Sequence, residues 1–336
     1  MQLLLVSHET FFGADMEKNS LVFVAGHRGL VGSAIVRELK KSGYNNLVLK
    51  TSLELDLRDQ TAVRDFFEKE KPEYVVLAAA RVGGIGANSR YRAPMIFDNL
   101  MIQSNVIDSS YKAGVKKLLF LGSSCIYPKL APQPMKEDAL LTSELEYTNE
   151  PYAIAKIAGL KMCEAYNFNY GTDFISVMPT NLYGENDNFD LESGHVFPVL
   201  IRKFHEAKKN GEEFVKLWGS GRPKREFLHV DDLARATLML LEKVSFKDLV
   251  KDVSGDIRNT HINVGTGVDV TVAQLAELIK EVVGFKGEIK WDAKMPDGTP
   301  RKLLDISKIR DLGWVPEIGL KEGIEAVYKW YKSKYE

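Results

Sequence analysis

Cysteine is scarce in this chain: Cys125 and Cys163 are the only two in 336 residues. They stand far apart without CxxC spacing, so neither a disulfide framework nor a zinc site is indicated, and no metal is expected. Reduced thiols in the cytoplasm are the expectation. Net charge is equally scarce, −1 from 45 Lys+Arg and 46 Asp+Glu. No global field exists to draw nucleic acid or an anionic membrane, so any bound anion must be held by local groups. No run reaches the roughly 18 apolar residues of a membrane-spanning helix. The opening stretch "MQLLLVSHETFFGADMEKNS" has an apolar run too short for a signal peptide and no basic residue ahead of it. Residues 1–20 read as a disordered extension, with Met16 as an alternative start.

What the chain does have is 45% hydrophobic residues, enough for one large α/β unit or two smaller domains sharing a core. From Leu21 it alternates strand, glycine turn and helix. "LVFVAG", "NLVLKT", "YVVLAAA", "KLLFLGSS" and "DFISVMPTNLYG" are apolar strand candidates, and "SAIVRELKKSG" repeats its apolar positions at helical spacing. Continuous apolar strands alternating with helices imply an α/β fold, a doubly wound parallel (Rossmann) sheet covered on both faces. After residue 182 the alternation loosens, which suggests a second, smaller α/β lobe. The expected division gives 21–182 and 226–265 to a dinucleotide-binding domain, and 183–225 with 266–336 to a substrate lobe.

"GHRGLVG" sets Gly26, Gly29 and Gly32 between a strand and a helix. Such a turn lets backbone N–H groups and the helix N-terminus approach a pyrophosphate. At the end of the second strand an NAD site usually offers a carboxylate to the ribose. Here that place reads Lys50, Thr51, Ser52. With Arg28 in the first turn, a cation and two hydroxyls suit a 2′-phosphate, so NADP(H) is the expected cofactor. Glu54 remains an alternative partner for a ribose, and Asp56 and Leu57 are expected beside the adenine.

"YAIAK" places Tyr152 and Lys156 on one face of a helix. An ammonium beside the phenol favours phenolate, drawing the tyrosine from about 10 toward the working pH and making it a general acid or base for a carbonyl/alcohol couple. Ser123, at the end of the preceding strand, can hydrogen-bond the same oxygen. The ordinary alternative is an amphipathic helix with no chemistry.

These segments, with "AGHRGLVGSAI", "LGSSCIYPK", "NEPYAIAKIAG", "SVMPTNLYG", "REFLHVDD", "INVGTGVD" and "PDGTPRKLLD", resemble the extended short-chain dehydrogenase/reductases that act on nucleotide sugars. Within them the likeness is to the epimerase/reductases of GDP-keto-sugars, from about residue 21 to the C-terminus. The resemblance implies that Ser123, Tyr152 and Lys156 form the reductase triad and that Cys125 and His195 are the acid/base pair of epimerisation. It implies that Gly26, His27, Arg28, Gly29, Leu30, Val31 and Gly32 line the cofactor, with Leu121, Gly122, Ser124, Pro179, Thr180, Asn181 and Leu182. Lys203, Trp218, Arg225 and Asp297 would hold the GDP-sugar, and a homodimer is the implied assembly. Some members carry arginine where this chain has Ser52 and Lys203, which thins the 2′-phosphate site and removes one bidentate fork. The rival enzymes are 4-epimerases and 4,6-dehydratases; a dehydratase needs an acidic pair where Cys125 and Ile126 stand. A non-catalytic NADP-sensing module is the rival from another class, and it has no need of the proton relay.

Overall fold

The computed structural model describes residues 16–295 and 297–336. The expected extension therefore lies mostly outside the described residues. Its last part is packed: Met16 is buried in the main core and its carbonyl accepts from Tyr44 Oη at 3.1 Å.

The chain runs β1 (Val22–Ala25), α1 (Leu30–Lys41), β2 (Leu47–Val48), α2 (Gln60–Glu70), β3 (Tyr74–Leu77), α3 (Ile85–Arg90), α4 (Arg92–Lys112) and β4 (Lys117–Leu121). There follow α5 (Glu150–Tyr170), β5 (Phe174–Pro179), β6 (Asn181–Tyr183), α6 (Val196–Asn210), β7 (Phe214–Trp218), β8 (Lys224–His229) and α7 (Val230–Lys243). The remainder is α8 (Phe246–Val250), β9 (Ile262–Val264), β10 (Asp269–Thr271), α9 (Val272–Val283), β11 (Glu288–Asp292), β12 (Arg301–Lys302), α10 (Ser307–Asp311) and α11 (Leu320–Tyr335).

Six parallel strands form the main sheet in the order β2-β1-β3-β4-β5-β9. Every residue of β1, β3 and β5 is buried, as a sheet covered on both faces requires. Helices α1 and α7 pack together, as do α4 and α5. Strand order reverses between β1 and β3, so a crevice opens at their carboxyl ends. A second core gathers Phe197 and Phe204 of α6, Leu275 and Ile279 of α9, and Ile324 and Val327 of α11.

Two boundaries differ from the sequence reading. Strand β8, expected to return to the first domain at residue 226, pairs with β6, β10 and β12 in a smaller sheet while its Leu228 is buried in the first core; α7 and β9 rejoin the main unit. Conversely, Leu304, Ile306, Ile309 and Trp314, expected in the substrate lobe, are buried in the first core. Apolar side chains one turn or two residues apart mark an element but not which of two cores it joins.

Candidate active site

The first turn is built around close backbone approach. Gly26 has φ +86°, and a Cβ there would lie 2.7 Å from the Ala79 amide nitrogen at the exit of β3; a Cβ on Gly32 would run into the Gly26 carbonyl oxygen. The Gly29 N–H donates to that carbonyl at 3.0 Å. No side chain caps α1 and its first turn holds no acidic residue, so its leading N–H groups and positive dipole end remain open to an anion. Leu30 and Val31 supply that turn. The cradle fits a dinucleotide pyrophosphate.

Of the residues expected at the 2′-phosphate, Arg28 and Ser52 are exposed and Lys50 is half-buried. Glu54 stands among them: its Oε2 accepts from Thr51 N at 2.8 Å and Thr51 Oγ1 at 2.7 Å. Those two bonds, with smaller contributions from Lys50 and Arg28, hold its carboxyl below the usual range. His27 is pushed down by burial and by Arg28. Asp56 is engaged by Arg58 at 2.7 Å and drawn down to about 2 by that pair. The Leu57 carbonyl accepts from Asn105 Nδ2 at 3.0 Å.

Leu121 ends β4, and Gly122 passes so close to Met178 that any side chain would collide with it. Ser123 caps a single 3₁₀ turn over Ser124–Ile126, accepting from Cys125 N at 3.4 Å. Its hydroxyl also contacts the Cys125 thiol and the Tyr152 phenol. Lys156 is buried and donates to the Leu121 carbonyl at 2.7 Å, with its ammonium 5.8 Å from the Tyr152 ring centroid. Burial lowers Lys156 to about 8. Tyr152 is pushed well above its ordinary value by burial and then by Cys125, against the Ser123 hydrogen bond. The phenolate expected from sequence spacing is thus corrected. The lysine proton is directed at a carbonyl, desolvation governs the phenol, and Tyr152 stands as a protonated donor at neutral pH.

Cys125 is buried and its thiol is raised by that burial, opposed by Lys302, Ser123 and Lys156. His195 comes from the other lobe as the N-cap residue of α6, without a side-chain capping bond. It keeps solvent access, and the protein on its inner flank lowers the imidazole below its ordinary value. No hydrogen bond or ion pair joins it to Cys125 among the described residues.

In the second lobe Arg225, half-buried in β8, donates to the Lys224 carbonyl and feels Asp297. Asp297 itself accepts from Ser220 N at 2.6 Å and Ser220 Oγ at 2.7 Å, fixing the loop after β7. Trp218 ends β7 with 68% of its surface exposed, and Lys203 Nζ lies 3.4 Å from the Lys216 carbonyl. Pro179 ends β5, and the expected cofactor wall continues from it. Thr180 Oγ1 and Asn181 Nδ2 both donate to the Glu226 carbonyl, so these side chains join the two sheets; Leu182 packs on the first core. Sequence reading missed Glu226 and Lys302. The first follows two cations in a strand that reads KREFLH, so nothing in the pattern marks it as a buried acceptor; the second is one lysine among many.

A dinucleotide cradle and a Ser–Tyr–Lys constellation on a doubly wound sheet define a Rossmann-type oxidoreductase. Residues 22–265 match the NAD dependent epimerase/dehydratase family, and the chain belongs to it. It is 60% identical to GDP-L-fucose synthase 1 of Arabidopsis thaliana over 315 residues, 94% of each chain. Among solved structures it is similar to a GDP-6-OMe-4-keto-L-xylo-heptose reductase from C. jejuni, with TM-score 0.91 and 44% identity over 96% of this chain and 100% of that one. It is also similar to a GDP-L-fucose synthetase from Naegleria fowleri bound to NADP, with TM-score 0.83 and 29% identity over 96% and 97%.

Proposed function

We propose that the protein converts GDP-4-keto-6-deoxy-D-mannose to GDP-L-fucose, inverting C3 and C5 and reducing C4 with NADPH. One observation carries this reading: the Ser123 hydroxyl touches both the Tyr152 phenol and the Cys125 thiol. A single site thereby holds a proton donor for reduction and a second acid/base group for inversion. A ketone at C4 acidifies the C3 and C5 hydrogens, so each centre inverts when one group removes a proton and another delivers one to the opposite face. Cys125 and His195 take those parts, one from each lobe. Ser123 and Tyr152 hydrogen-bond the C4 oxygen and stabilise the enolate. Gly26 to Gly32 would hold NADPH, with Arg28 and Lys50 toward its 2′-phosphate, and the bound cofactor would supply the hydride for C4. Tyr152 then gives its proton to the C4 oxygen, and Lys156 favours the resulting phenolate. Arg225 and Lys203 offer positive charge to the diphosphate, and Trp218 an exposed ring to the base.

The test is turnover of the keto-sugar in D2O. Wild type places deuterium at C3 and C5. Cys125→Ser keeps NADPH binding but incorporates much less, because a serine hydroxyl is far less acidic than a thiol; His195→Ala shows the same class of defect, while Tyr152→Phe blocks NADPH oxidation. Undiminished exchange at both carbons in Cys125→Ser refutes the assignment. Wild-type product reduced at C4 without inversion would instead favour the plain reductase chemistry of the C. jejuni neighbour.

The same reading extends to a homodimer in the cytoplasm. Supporting the dimer, the paired helices α4 and α5 expose Phe97 (61%) and Ile154 (40%), beside a groove of about 270 Å³ lined by Ile96 and Pro151. Light scattering at the monomer mass at every concentration refutes it. Supporting the location, both thiols are unpaired and buried, and no described helix is long and apolar enough to cross a membrane.

A further inference from the structure

The loop that leaves β3 touches the segment just ahead of His195. On the β3 side the loop is pinned to α3 and α4: Arg81 N donates to Asn99 Oδ1 at 2.9 Å, Asn99 Nδ2 donates back to the Arg81 carbonyl at 2.9 Å, and Asn88 Nδ2 donates to the Gly83 carbonyl at 2.9 Å. The His195 side is folded on itself. Asp190 Oδ1 accepts from Ser193 N and Ser193 Oγ, both at 2.8 Å, Asn188 Nδ2 donates to Ser193 Oγ at 3.0 Å, and Gly194 N donates to the Asp190 carbonyl at 2.9 Å. The two loops meet where Gly84 N donates to the Ser193 carbonyl at 3.2 Å. Gly84 has φ −67° and ψ −179°, which any residue adopts, so its backbone does not call for glycine. Contact does: a Cβ at Gly84 would lie 2.9 Å from the Gly194 carbonyl oxygen and 3.4 Å from that of Ser193. A Cβ at Gly86 would meet only the Glu192 carbonyl, at an ordinary 3.7 Å. His195 follows Gly194 directly and its carbonyl accepts from Val199 N at 3.2 Å as α6 begins. Its backbone is therefore held from two directions, by a helix seated in the second core and by a loop of the first domain.

We propose that Gly84 is a positioning residue for His195: its N–H and its missing side chain dock the Ser193–Gly194 peptide on the first domain and so fix the imidazole relative to the domain that carries Ser123, Cys125 and Tyr152. The proposal rests on the reading of His195 as an acid/base group. Proton transfer to or from a ring carbon tolerates little displacement of the group that performs it. A group borne by the other lobe needs a tie across the junction, and the Gly84–Ser193 bond supplies it one residue from the imidazole. The same loop presses Ala79 on Gly26, so the nucleotide turn and the seat of His195 are built on one segment.

The experiment measures deuterium exchange into the keto-sugar in D2O, as kcat and KM, in the full-length protein with NADP+ in place of NADPH so that exchange is read apart from reduction. Gly84→Ala lowers kcat by about 10- to 100-fold while KM and the affinity for NADPH hold. Gly86→Ala, the same change two residues along, leaves kcat at the wild-type value. In the His195→Ala background Gly84→Ala costs nothing further, because the contact acts through a side chain already removed. If Gly84→Ala fails to fold, Ser193→Ala, which frees the facing loop from Asp190 and Asn188, takes its place in the same comparison. Wild-type kcat in Gly84→Ala or its substitute overturns the proposal, as does an equal loss in Gly86→Ala or a further loss of about tenfold or more in the double variant, which would mark a structural effect independent of His195. His195→Ala alone separates the two ideas: undiminished exchange there removes the acid/base role of His195 and with it the meaning of Gly84, whereas lost exchange there with wild-type exchange in Gly84→Ala removes Gly84 alone.

Discussion

Replacing Glu226 with glutamine perturbs the junction of the two lobes while keeping side-chain volume. Glu226 is fully buried; its Oε1 accepts from Thr266 N at 2.6 Å and Gly267 N at 2.7 Å, and its Oε2 from Leu304 N at 3.0 Å. An amide has one oxygen. With that oxygen kept on Thr266 and Gly267, the NH2 group meets the Leu304 N–H donor to donor. One charge-assisted bond worth about 1.5–3 kcal/mol disappears, and a buried N–H is left unpaired at a further cost of about 1–3 kcal/mol. Relief from burying a carboxylate offsets part of this. The net expectation is a loss of about 2–4 kcal/mol, read as a fall in urea midpoint at unchanged m-value. In a chain of this size that corresponds to a thermal midpoint lower by roughly 3–6 °C. A variant within about 0.5 kcal/mol of wild type would refute the account of Glu226 as the acceptor that binds β12 and the β9–β10 loop to β8.

Lys156→Met is expected to abolish most reduction, by about 10²–10⁴-fold, yet to stabilise the fold at pH 7. The native lysine is lowered to about 8 from 10.5, so between those values the unfolded chain binds more protons and wild-type stability rises with pH. Below pH 8 the buried ammonium is a standing cost; removing it gains about 1–3 kcal/mol after the bond to Leu121 is lost, and that gain vanishes by about pH 10.5 in a pH series of urea melts. Arg28→Ala and Lys50→Ala each weaken NADPH about tenfold or more, with little effect on NADH, in fluorescence titrations; equal losses for both cofactors refute their role at the 2′-phosphate. Ile154→Asp shifts the light-scattering mass toward the monomer, and an unchanged dimer excludes the α4–α5 face.

The main sheet was legible because its strands are buried on both faces: runs such as Val22–Ala25 and Tyr74–Leu77 carry no polar alternation to blur them. The glycine turn was legible for a related reason, since Gly26 and Gly32 stand where a side chain has no room. What failed to show were properties that depend on the third dimension. Tyr152 and Lys156 lie one helical turn apart, which makes them neighbours but says nothing of the desolvation that sets the phenol. The bonds by which the Thr180 and Asn181 side chains reach across to β8 were likewise not legible in their motif. Lys302 follows Arg301 in a strand of two residues, where no periodicity separates an outward cation from a desolvated one.

The pairing of residues 303–305 with Gln133 and Met135 has a consequence for how the enzyme is made. Strands β1 to β5 and β9, with the nucleotide turn, are complete once residue 264 has been synthesised. The segment at Gln133 and Met135 gains its partner only about 40 residues later, when β12 and its continuation emerge. A nascent or truncated chain that stops before residue 300 therefore contains every strand of the main sheet but lacks the backbone that Gln133 and Met135 pair with. The first core is closed only in the finished chain, because Leu304, Ile306, Ile309 and Trp314 pack into it.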